Sequence, residues 1–237
     1  MNPRLTIPSY LDHQNILIVR DSQGGATPTT TPQAWAVRRD HILGHLHEVM
    51  GPVPGAERRV LPNLEILETA RESSHTRMKV RYTSAPGEVV PAWLLVPVRA
   101  DEPGVKLPAM LCLHQTVKVG KDEVVGLGGD PHRRYALELT QRGYVTIAPD
   151  YPTFGEHAID VYEHGYVSAS MKAIWDNLRA VDVLSGLKYV DAERIGVIGH
   201  SLGGHNAIFT AVHDDRLKVI VSSCGFNSFA FYYGGNI

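Results

Sequence analysis

A serine lies between two glycines in the run Gly-His-Ser-Leu-Gly at residues 199–203, the segment of this sequence best suited to covalent chemistry. A strand-like run at residues 194–199 precedes it, and a helical pattern follows at residues 202–213. A sharp strand-to-helix turn exposes a serine hydroxyl at a helix N-terminus, where developing negative charge is stabilised. The pattern therefore predicts that Ser201 is a nucleophile. A glycine-rich turn that serves packing alone is the competing interpretation.

A serine nucleophile needs a general base, and two histidines follow it in the sequence, His205 and His213. The turn aims the hydroxyl away from the helix that carries His205, and His213 lies a full helix further on. We therefore expect neither to be the base. His200 occupies the variable position of the motif, where we expect it to shape the mouth of the pocket.

A metal site is the first alternative to consider, because His41, His45 and Glu48 recur at helical spacing. With Arg38 they share the helix face opposite Trp35 and Ile42, so we expect a solvated polar face and no metal. The glycine-rich run at residues 120–129 lacks the spacing of a phosphate-binding loop, and we expect no nucleotide cofactor.

The composition is that of a globular protein, with 237 residues, 43% hydrophobic and 20% charged, and a net charge of −2 at pH 7. No basic stripe is present, which excludes a nucleic-acid partner. The longest apolar stretch, residues 92–98, falls short of the ~20 residues that cross a membrane. We find no signal peptide and predict a cytoplasmic protein without a membrane partner, leaving a homo-oligomer open.

Both cysteines, Cys112 and Cys224, are expected to be small buried residues.

The elements that must position Ser201 change character along the chain. Strand-like runs at residues 64–69, 78–83 and 89–98 come first, and short apolar strands then alternate with helices. Such alternation produces parallel strands covered on both faces. We predict an α/β domain at residues 61–237, with a mixed, mostly parallel sheet and helices on both faces. An N-terminal extension, residues 1–60, carries one helix at about residues 32–50, capped by Thr31. The later strands are predicted at residues 109–114, 144–149, 194–199 and 217–223, and the later helices at residues 131–142, 167–187 and 202–213.

Four segments carry a family resemblance: residues 196–206 around Ser201, Leu-Cys-Leu-His-Gln-Thr from residue 111, Gly-Tyr-Val-Thr-Ile-Ala-Pro-Asp-Tyr from residue 143, and Phe-Gly-Glu from residue 154. Over about residues 64–237 the chain resembles the α/β-hydrolase fold, and within it the dienelactone-hydrolase and acetyl-xylan-esterase-like group. Dienelactone hydrolases proper use a cysteine nucleophile, so Ser201 favours the esterases. The resemblance implies a serine hydrolase that needs no cofactor.

The resemblance also implies where an oxyanion would be bound. In that group the loop after the third strand usually reads His-Gly-x and supplies one backbone N–H. Here His114, Gln115 and Thr116 occupy that place. The amide of Thr116 or Gln115 is expected to be one donor and that of Leu202 the other. His114, at the end of a buried strand, is expected to brace the loop through its side chain.

The catalytic acid and histidine are not found where the fold would place them, because in this fold both follow the nucleophile and further strands. After Ser201 the last carboxylate is Asp215 and the last histidine is His213, and both precede the strand at residues 217–223. We expect the chain to be the N-terminal portion of a longer enzyme, lacking the C-terminal strands. We also expect negligible ester turnover on its own, and an aromatic run at residues 226–233 that needs a partner surface.

The leading hypothesis is a serine hydrolase that cleaves a small-molecule ester, in the simplest case a carboxylic ester, through an acyl-enzyme on Ser201. A prolyl-oligopeptidase-like peptidase shares the turn, but such enzymes typically add a propeller domain and no blade repeats occur here. A non-catalytic α/β-hydrolase-like binding module is the other alternative, favoured by the missing acid and histidine.

Overall fold

The computed structural model describes residues 7–227, which divide into two compact units after Val53. The first unit contains a two-stranded antiparallel ribbon and one helix: β1 (Ile18–Arg20), β2 (Ala26–Pro28) and α1 (Pro32–Met50). The Thr31 hydroxyl accepts a hydrogen bond from the Ala34 N–H at 3.1 Å, and Pro32 takes the first helical position. These two residues begin the helix where the sequence predicted it.

The polar face of α1 is not solvated as the sequence suggested. Arg38 is 5% exposed, and its guanidinium lies 3.6 Å from the centre of the Tyr10 ring. The Tyr10 hydroxyl is 2.8 Å from Nδ1 of His41, whereas Trp35 and Ile42 are exposed. The prediction was wrong because helical periodicity shows which residues share a face, and not which face the preceding segment covers.

The second unit is built on a seven-stranded mixed sheet. Its strands are β3 (Glu65–Arg71), β4 (His75–Ala85), β5 (Glu88–Pro97), β6 (Leu107–Leu113), β7 (Val145–Pro149), β8 (Val190–His200) and β9 (Leu217–Ser223). Their spatial order is β3-β4-β5-β7-β6-β8-β9. The pairs from β3 to β7 are antiparallel, and the pairs among β7, β6, β8 and β9 are parallel. The predicted α/β class and mixed sheet are confirmed.

Helices cover both faces of this sheet: α2 (Lys121–Val124), α3 (Tyr135–Gln141), α4 (Ala169–Gly186) and α5 (Leu202–Ala211). Successive residues of β6 pack on opposite faces of the sheet, because side chains alternate in direction along a strand. Leu111 belongs to the cluster that includes Ala180 of α4 and Ala207 of α5. Cys112 belongs to the cluster that includes Ala136 of α3. Within residues 7–227 no helix is long and apolar enough to span a bilayer.

Parallel pairing brings the carboxyl ends of three strands to one edge of the sheet. Leu113 of β6 pairs with Gly199 of β8, and His200 pairs with Ser223 of β9. The loops that follow β6, β8 and β9 therefore start side by side. Ligands of open α/β sheets bind at this edge, where the strands end.

Candidate active site

Ser201 has a backbone conformation that residues with a side chain rarely adopt. Its φ is 53° and its ψ is −115°, between the end of β8 and the first residue of α5. The Ser201 N–H donates to the Ser223 carbonyl at 2.8 Å, and the Ser201 carbonyl accepts from the His205 N–H at 2.9 Å. Strained backbone of this kind persists only where its surroundings hold it in place, and it is concentrated at functional sites.

The two motif glycines are required by close backbone contacts. A Cβ atom on Gly199 would overlap the backbone of Gly203, and a Cβ on Gly203 would overlap the carbonyl of Leu113. Helix α5 therefore lies directly against the ends of β6 and β8. This close approach forms the sharp turn that the sequence motif predicted.

Ser201 opens into a cavity of about 200 Å³, lined by Thr116, Ser201, Leu202, His205, Cys224, Gly225 and Asn227. Both Thr116 and Leu202, expected from the sequence to donate to an oxyanion, line this cavity, and Gln115 does not. Within residues 7–227 neither the Thr116 nor the Leu202 backbone N–H donates a hydrogen bond. Two residues that line the cavity with Ser201 thus have backbone amides that are not engaged by acceptors of this part of the chain.

Gln115 fixes the shape of the loop after β6 with its side chain. Its Nε2 donates to both carboxylate oxygens of buried Glu123, at 3.0 and 3.1 Å, and its Oε1 accepts from Arg133. Glu123 also accepts from the Asp130 N–H at 3.1 Å. The residue that replaces the commoner glycine therefore ties the loop to the segment that follows α2.

His114 is fully buried and joins two loops through both ring nitrogens. Its Nδ1 lies 2.6 Å from the Gln115 carbonyl, and its Nε2 accepts from the Tyr151 N–H at 3.2 Å. Because Nε2 accepts, the ring hydrogen is on Nδ1. Burial lowers the pKa of His114, which keeps the ring neutral.

The other histidines near the motif have different surroundings. His200 is hydrogen-bonded through Nδ1 to the Ser223 hydroxyl at 3.0 Å, and it is not among the residues that line the Ser201 cavity. His205 lines the cavity and packs on the Phe209 ring, with 4.3 Å between ring centres. Burial lowers the pKa of His205.

The residues just before β9 lie at the amino ends of the parallel strands, whereas Ser201 follows the carboxyl end of β8. Leu217, the first residue of β9, pairs with Ile195, whereas the strand's last residue pairs with His200. His213 and Asp214 therefore lie about 20 Å from the serine, at the ~3.3 Å that each strand residue spans. Four histidines that contact carboxylates, His45, His114, His157 and His164, do not line the Ser201 cavity.

A buried ionic cluster beneath the site was missed in the sequence. Lys121 is 1% exposed, and its Nζ donates to Asp150 and to Glu156, each at 2.8 Å. Asp150 also accepts from the backbone N–H groups of Lys121 and Glu156, at 2.8 and 2.9 Å. The cluster ties the loop after β6 to the loop after β7. A Cβ on Gly120, the residue before Lys121, would overlap Asp150, so this close approach requires glycine.

The two cysteines differ in exposure. Cys112 is buried in β6, as the sequence predicted, and burial raises the pKa of its thiol. Cys224 is exposed and lines the Ser201 cavity, so the expectation of a second buried cysteine was wrong. The apolar run before it belongs to β9, which is itself largely exposed.

Comparisons with known proteins agree on the fold. The model of the Prolyl oligopeptidase family matches residues 131–236. YtaP of Bacillus subtilis, which bears the name of a hydrolase, is 32% identical over 149 residues, which are 58% of this chain and 48% of that protein. The chain thus spans about half the length of this curated relative.

Two solved esterases superpose on most of the chain. A glucuronoyl esterase from Solibacter usitatus has a TM-score of 0.68 and 22% identity, covering 92% of this chain and 64% of its own. Acetyl xylan esterase 1 from Thermoanaerobacterium sp. JW/SL YS485 has a TM-score of 0.55 and 20% identity, covering 76% of this chain and 62% of its own. Together with the strand order and the sharp turn at Ser201, these likenesses identify the chain as a protein of the α/β-hydrolase fold, similar in structure to these two esterases.

Proposed function

We propose that the protein is a serine hydrolase that cleaves a carboxylic ester through an acyl-enzyme on Ser201. The observation that carries this proposal is the strained conformation of Ser201 at the N-terminus of α5, beside a cavity with two available amides. A hydrolase needs an accessible nucleophile next to donors that stabilise developing charge, and the position of Ser201 at this cavity supports such a role.

The proposed first step forms a bond between Ser201 Oγ and the ester carbonyl carbon. The carbonyl electron pair moves onto its oxygen, which accepts hydrogen bonds from the Thr116 and Leu202 amides. The tetrahedral intermediate then expels the alcohol, and the general base returns the serine proton to it. Water attacks the acyl group in the same way and releases the acid and free Ser201.

The base and its orienting acid are proposed to come from outside residues 7–227. The histidine–carboxylate pairs found within those residues do not line the cavity, and residues 213–215 lie at the far edge of the sheet. His205 is the one histidine that lines the cavity. Because burial lowers its pKa, His205 would be neutral. The sharp turn at Ser201, however, directs the serine hydroxyl away from the helix that carries His205.

A peptidase is the second candidate function, because the match to the Prolyl oligopeptidase family covers residues 131–236. An ester and an aminoacyl anilide separate the two functions. We expect 4-nitrophenyl acetate to be hydrolysed and aminoacyl 4-nitroanilides to be left intact. Faster cleavage of the anilides would replace the esterase proposal with the peptidase.

The nucleophile is tested by replacing Ser201 in the full-length protein. Ser201→Ala should lower kcat against 4-nitrophenyl acetate by several orders of magnitude, because the attacking atom is removed. Ser185→Ala is the matched control, since that hydroxyl contacts the Val181 carbonyl on α4. Equal activity of the Ser201→Ala and Ser185→Ala proteins would overturn Ser201 as the nucleophile. A wild-type full-length protein without hydrolytic activity would leave a non-catalytic binding module as the better account.

The oxyanion donors are tested by a crystal structure of the full-length protein with a phosphonate bonded to Ser201. The Thr116 and Leu202 amides should lie about 2.7–3.1 Å from the phosphonyl oxygen. An oxygen held by the Gln115 amide, or by neither loop amide, would contradict this assignment.

A further inference from the structure

The Thr116 N–H, one of the two proposed oxyanion donors, shares a peptide unit with the Gln115 carbonyl. The two groups lie in one plane, and the described residues contain no cis peptide bond. In a trans peptide the N–H and the C=O point in opposite directions. Whatever holds the Gln115 carbonyl therefore also sets the direction of the Thr116 N–H.

His114 holds that carbonyl. Its Nδ1, which carries the ring hydrogen, lies 2.6 Å from the Gln115 oxygen, and its Nε2 accepts from the Tyr151 N–H. The Thr116 N–H is thus directed away from the imidazole, and no acceptor within residues 7–227 meets it. A hydrogen bond to the carbonyl also polarises the peptide, which makes the N–H a stronger donor.

The Gln115 side chain supplies a second anchor for the same peptide. Its Nε2 donates to both carboxylate oxygens of Glu123, and its Oε1 accepts from Arg133. We call these three side chains the clamp. The clamp holds one end of Gln115, and His114 holds its carbonyl. Rotation about the Cα–C bond between them, which would turn the Thr116 N–H, is therefore restricted.

Glu123, the centre of the clamp, is enclosed by the protein. It is 2% exposed, and it also accepts from the Asp130 N–H at 3.1 Å. A Cβ atom on Gly129 would lie 2.6 Å from Oε1 of Glu123, so the turn after α2 packs directly on the carboxylate. Gln115 is thus anchored to a buried group and not to a solvated surface side chain.

We propose that Gln115 is a positioning residue, whose clamp holds the Gln115–Thr116 peptide so that the Thr116 N–H meets the oxyanion. This role rests on the proposed esterase function, since the oxyanion forms only in that reaction. Thr116 lines the Ser201 cavity and Gln115 does not, in keeping with a side chain that acts through its neighbour.

The kinetic test replaces the Gln115 amide in the full-length protein. Gln115→Met keeps the length of the side chain and should lower kcat against 4-nitrophenyl acetate about ten- to hundredfold. It should leave KM within about twofold, because the oxyanion interaction is made in the transition state. Gln141→Met, an exposed position at the end of α3, is the matched control and should keep both values. Equal kcat in the two variants would overturn the positioning role.

An exchange of the two partners tests whether the clamp acts through its hydrogen bonds. Gln115→Glu alone places two carboxylates together and should lower kcat at least as far as Gln115→Met. Combining Gln115→Glu with Glu123→Gln again sets one amide against one carboxylate, with Arg133 beside that carboxylate. The double variant should recover most of the wild-type kcat. No recovery relative to Gln115→Glu would contradict the clamp.

NMR relaxation of ¹⁵N-labelled threonine separates failure of the clamp from failure of the esterase proposal. The Thr116 N–H should be rigid in the wild-type protein, with an order parameter of about 0.85, and should fall below about 0.6 in Gln115→Met. Thr146 of β7 should stay rigid in both. Unchanged order at Thr116 would overturn the clamp, whatever the activity.

The two measurements together assign each remaining outcome. Loss of order at Thr116 in the variant of a protein that hydrolyses no ester would keep the clamp and reject the esterase. Loss of order with unchanged kcat would keep the esterase and reject the Thr116 N–H as the donor that Gln115 positions.

Discussion

The conformation of Ser201 is imposed by its neighbours and not by its own side chain. A positive φ in a residue other than glycine costs about 1–3 kcal/mol. The contacts that hold it are backbone contacts, with Ser223 on one side and the closely packed Gly199 and Gly203 on the other. Ser201 is therefore positioned by main chain that cannot relax without separating α5 from the sheet.

Gly203→Ala tests this account of the turn. The added methyl group would overlap the Leu113 carbonyl in a central strand, so we expect a loss of about 1–3 kcal/mol or more in the free energy of unfolding. Gly186→Ala is the control, because no atom lies within 4 Å of its Cβ position. Chemical denaturation measures both variants. Equal stability of the two would contradict the close contact.

Cys224 offers a test of access to Ser201. Because the exposed thiol lines the same cavity, its reaction with N-ethylmaleimide should block labelling of Ser201 by a fluorophosphonate in the full-length protein. Cys224→Ser should remove the sensitivity. Cys112 serves as an internal control, since burial keeps it protonated and unreactive. Mass spectrometry identifies the modified residue, and unimpaired Ser201 labelling after Cys224 modification would place the thiol outside the substrate path.

At the scale of elements, a buried lysine joins helix α4 to the hairpin of β4 and β5. Lys172 is fully buried, and its Nζ lies 2.9 Å from Glu88 and 2.6 Å from Asp176. Burial acts to raise the pKa of both carboxyls. Lys172 outweighs it together with Tyr166 and Arg58 at Glu88 and with His157 at Asp176, so each pKa lies below its ordinary value. The ion group thus stabilises the fold as long as all its members are charged.

Lys172→Met should lower the free energy of unfolding by about 3–5 kcal/mol at pH 7, because two buried carboxylates lose a buried cation and only Glu88 keeps another one, Arg58. Lys188→Met, an exposed lysine just after α4, should change it by less than about 0.5 kcal/mol. Denaturation by urea measures both variants.

The pH dependence of stability provides a second comparison of the wild-type and Lys172→Met proteins. A carboxyl whose pKa is lowered by folding stabilises the protein at pH values above the pKa that it has in the unfolded state. This stabilisation is lost as the pH falls to the lower pKa of the folded state. The difference between the wild-type and Lys172→Met proteins should therefore shrink between about pH 5 and pH 3. A difference that grows over this range would show that Lys172 does not hold the carboxyls ionised.

The sequence predicted the strands and the turn at Ser201 because their signals are local. Short apolar runs that alternate with helical patterns define the strands, and two glycines around a serine define the turn. The predicted helix at residues 131–142 is broken, since Pro131–Arg133 forms a separate turn before α3. The cluster of Lys121, Asp150 and Glu156 could not be predicted, because its members lie 29 and 35 positions apart and meet only in the folded sheet.

At the scale of the whole molecule, β9 is the most exposed part of the parallel half of the sheet. Val219, Ile220 and Val221 are 53%, 46% and 39% exposed, on both faces of the strand. Phe226 is 84% exposed, and the rest of the predicted aromatic run, residues 228–233, lies outside the described residues. Apolar strand edges of this kind pair readily with other chains.

We expect the purified 237-residue chain to self-associate through β9, with a mass by light scattering above the 26.1 kDa of one chain. Ile220→Lys should lower the mass toward that of a monomer, because a charge on an edge strand opposes pairing. Ile66→Lys, on β3 at the other edge of the sheet, is the matched control. A monomeric wild-type chain, or equal effects of both variants, would contradict the role of β9.

The strand order also affects how the protein emerges during translation. Strand β6 lies between β7 and β8, and both are synthesised after it. Ribosomes take roughly 4–17 s to extend the chain from Leu113 to His200, at ~5–20 residues per second. During that time the apolar β6 has neither of its neighbours, although β3, β4 and β5 can already pair. The nascent chain is therefore most open to misassociation, and to capture by chaperones, in the interval between β6 and β8.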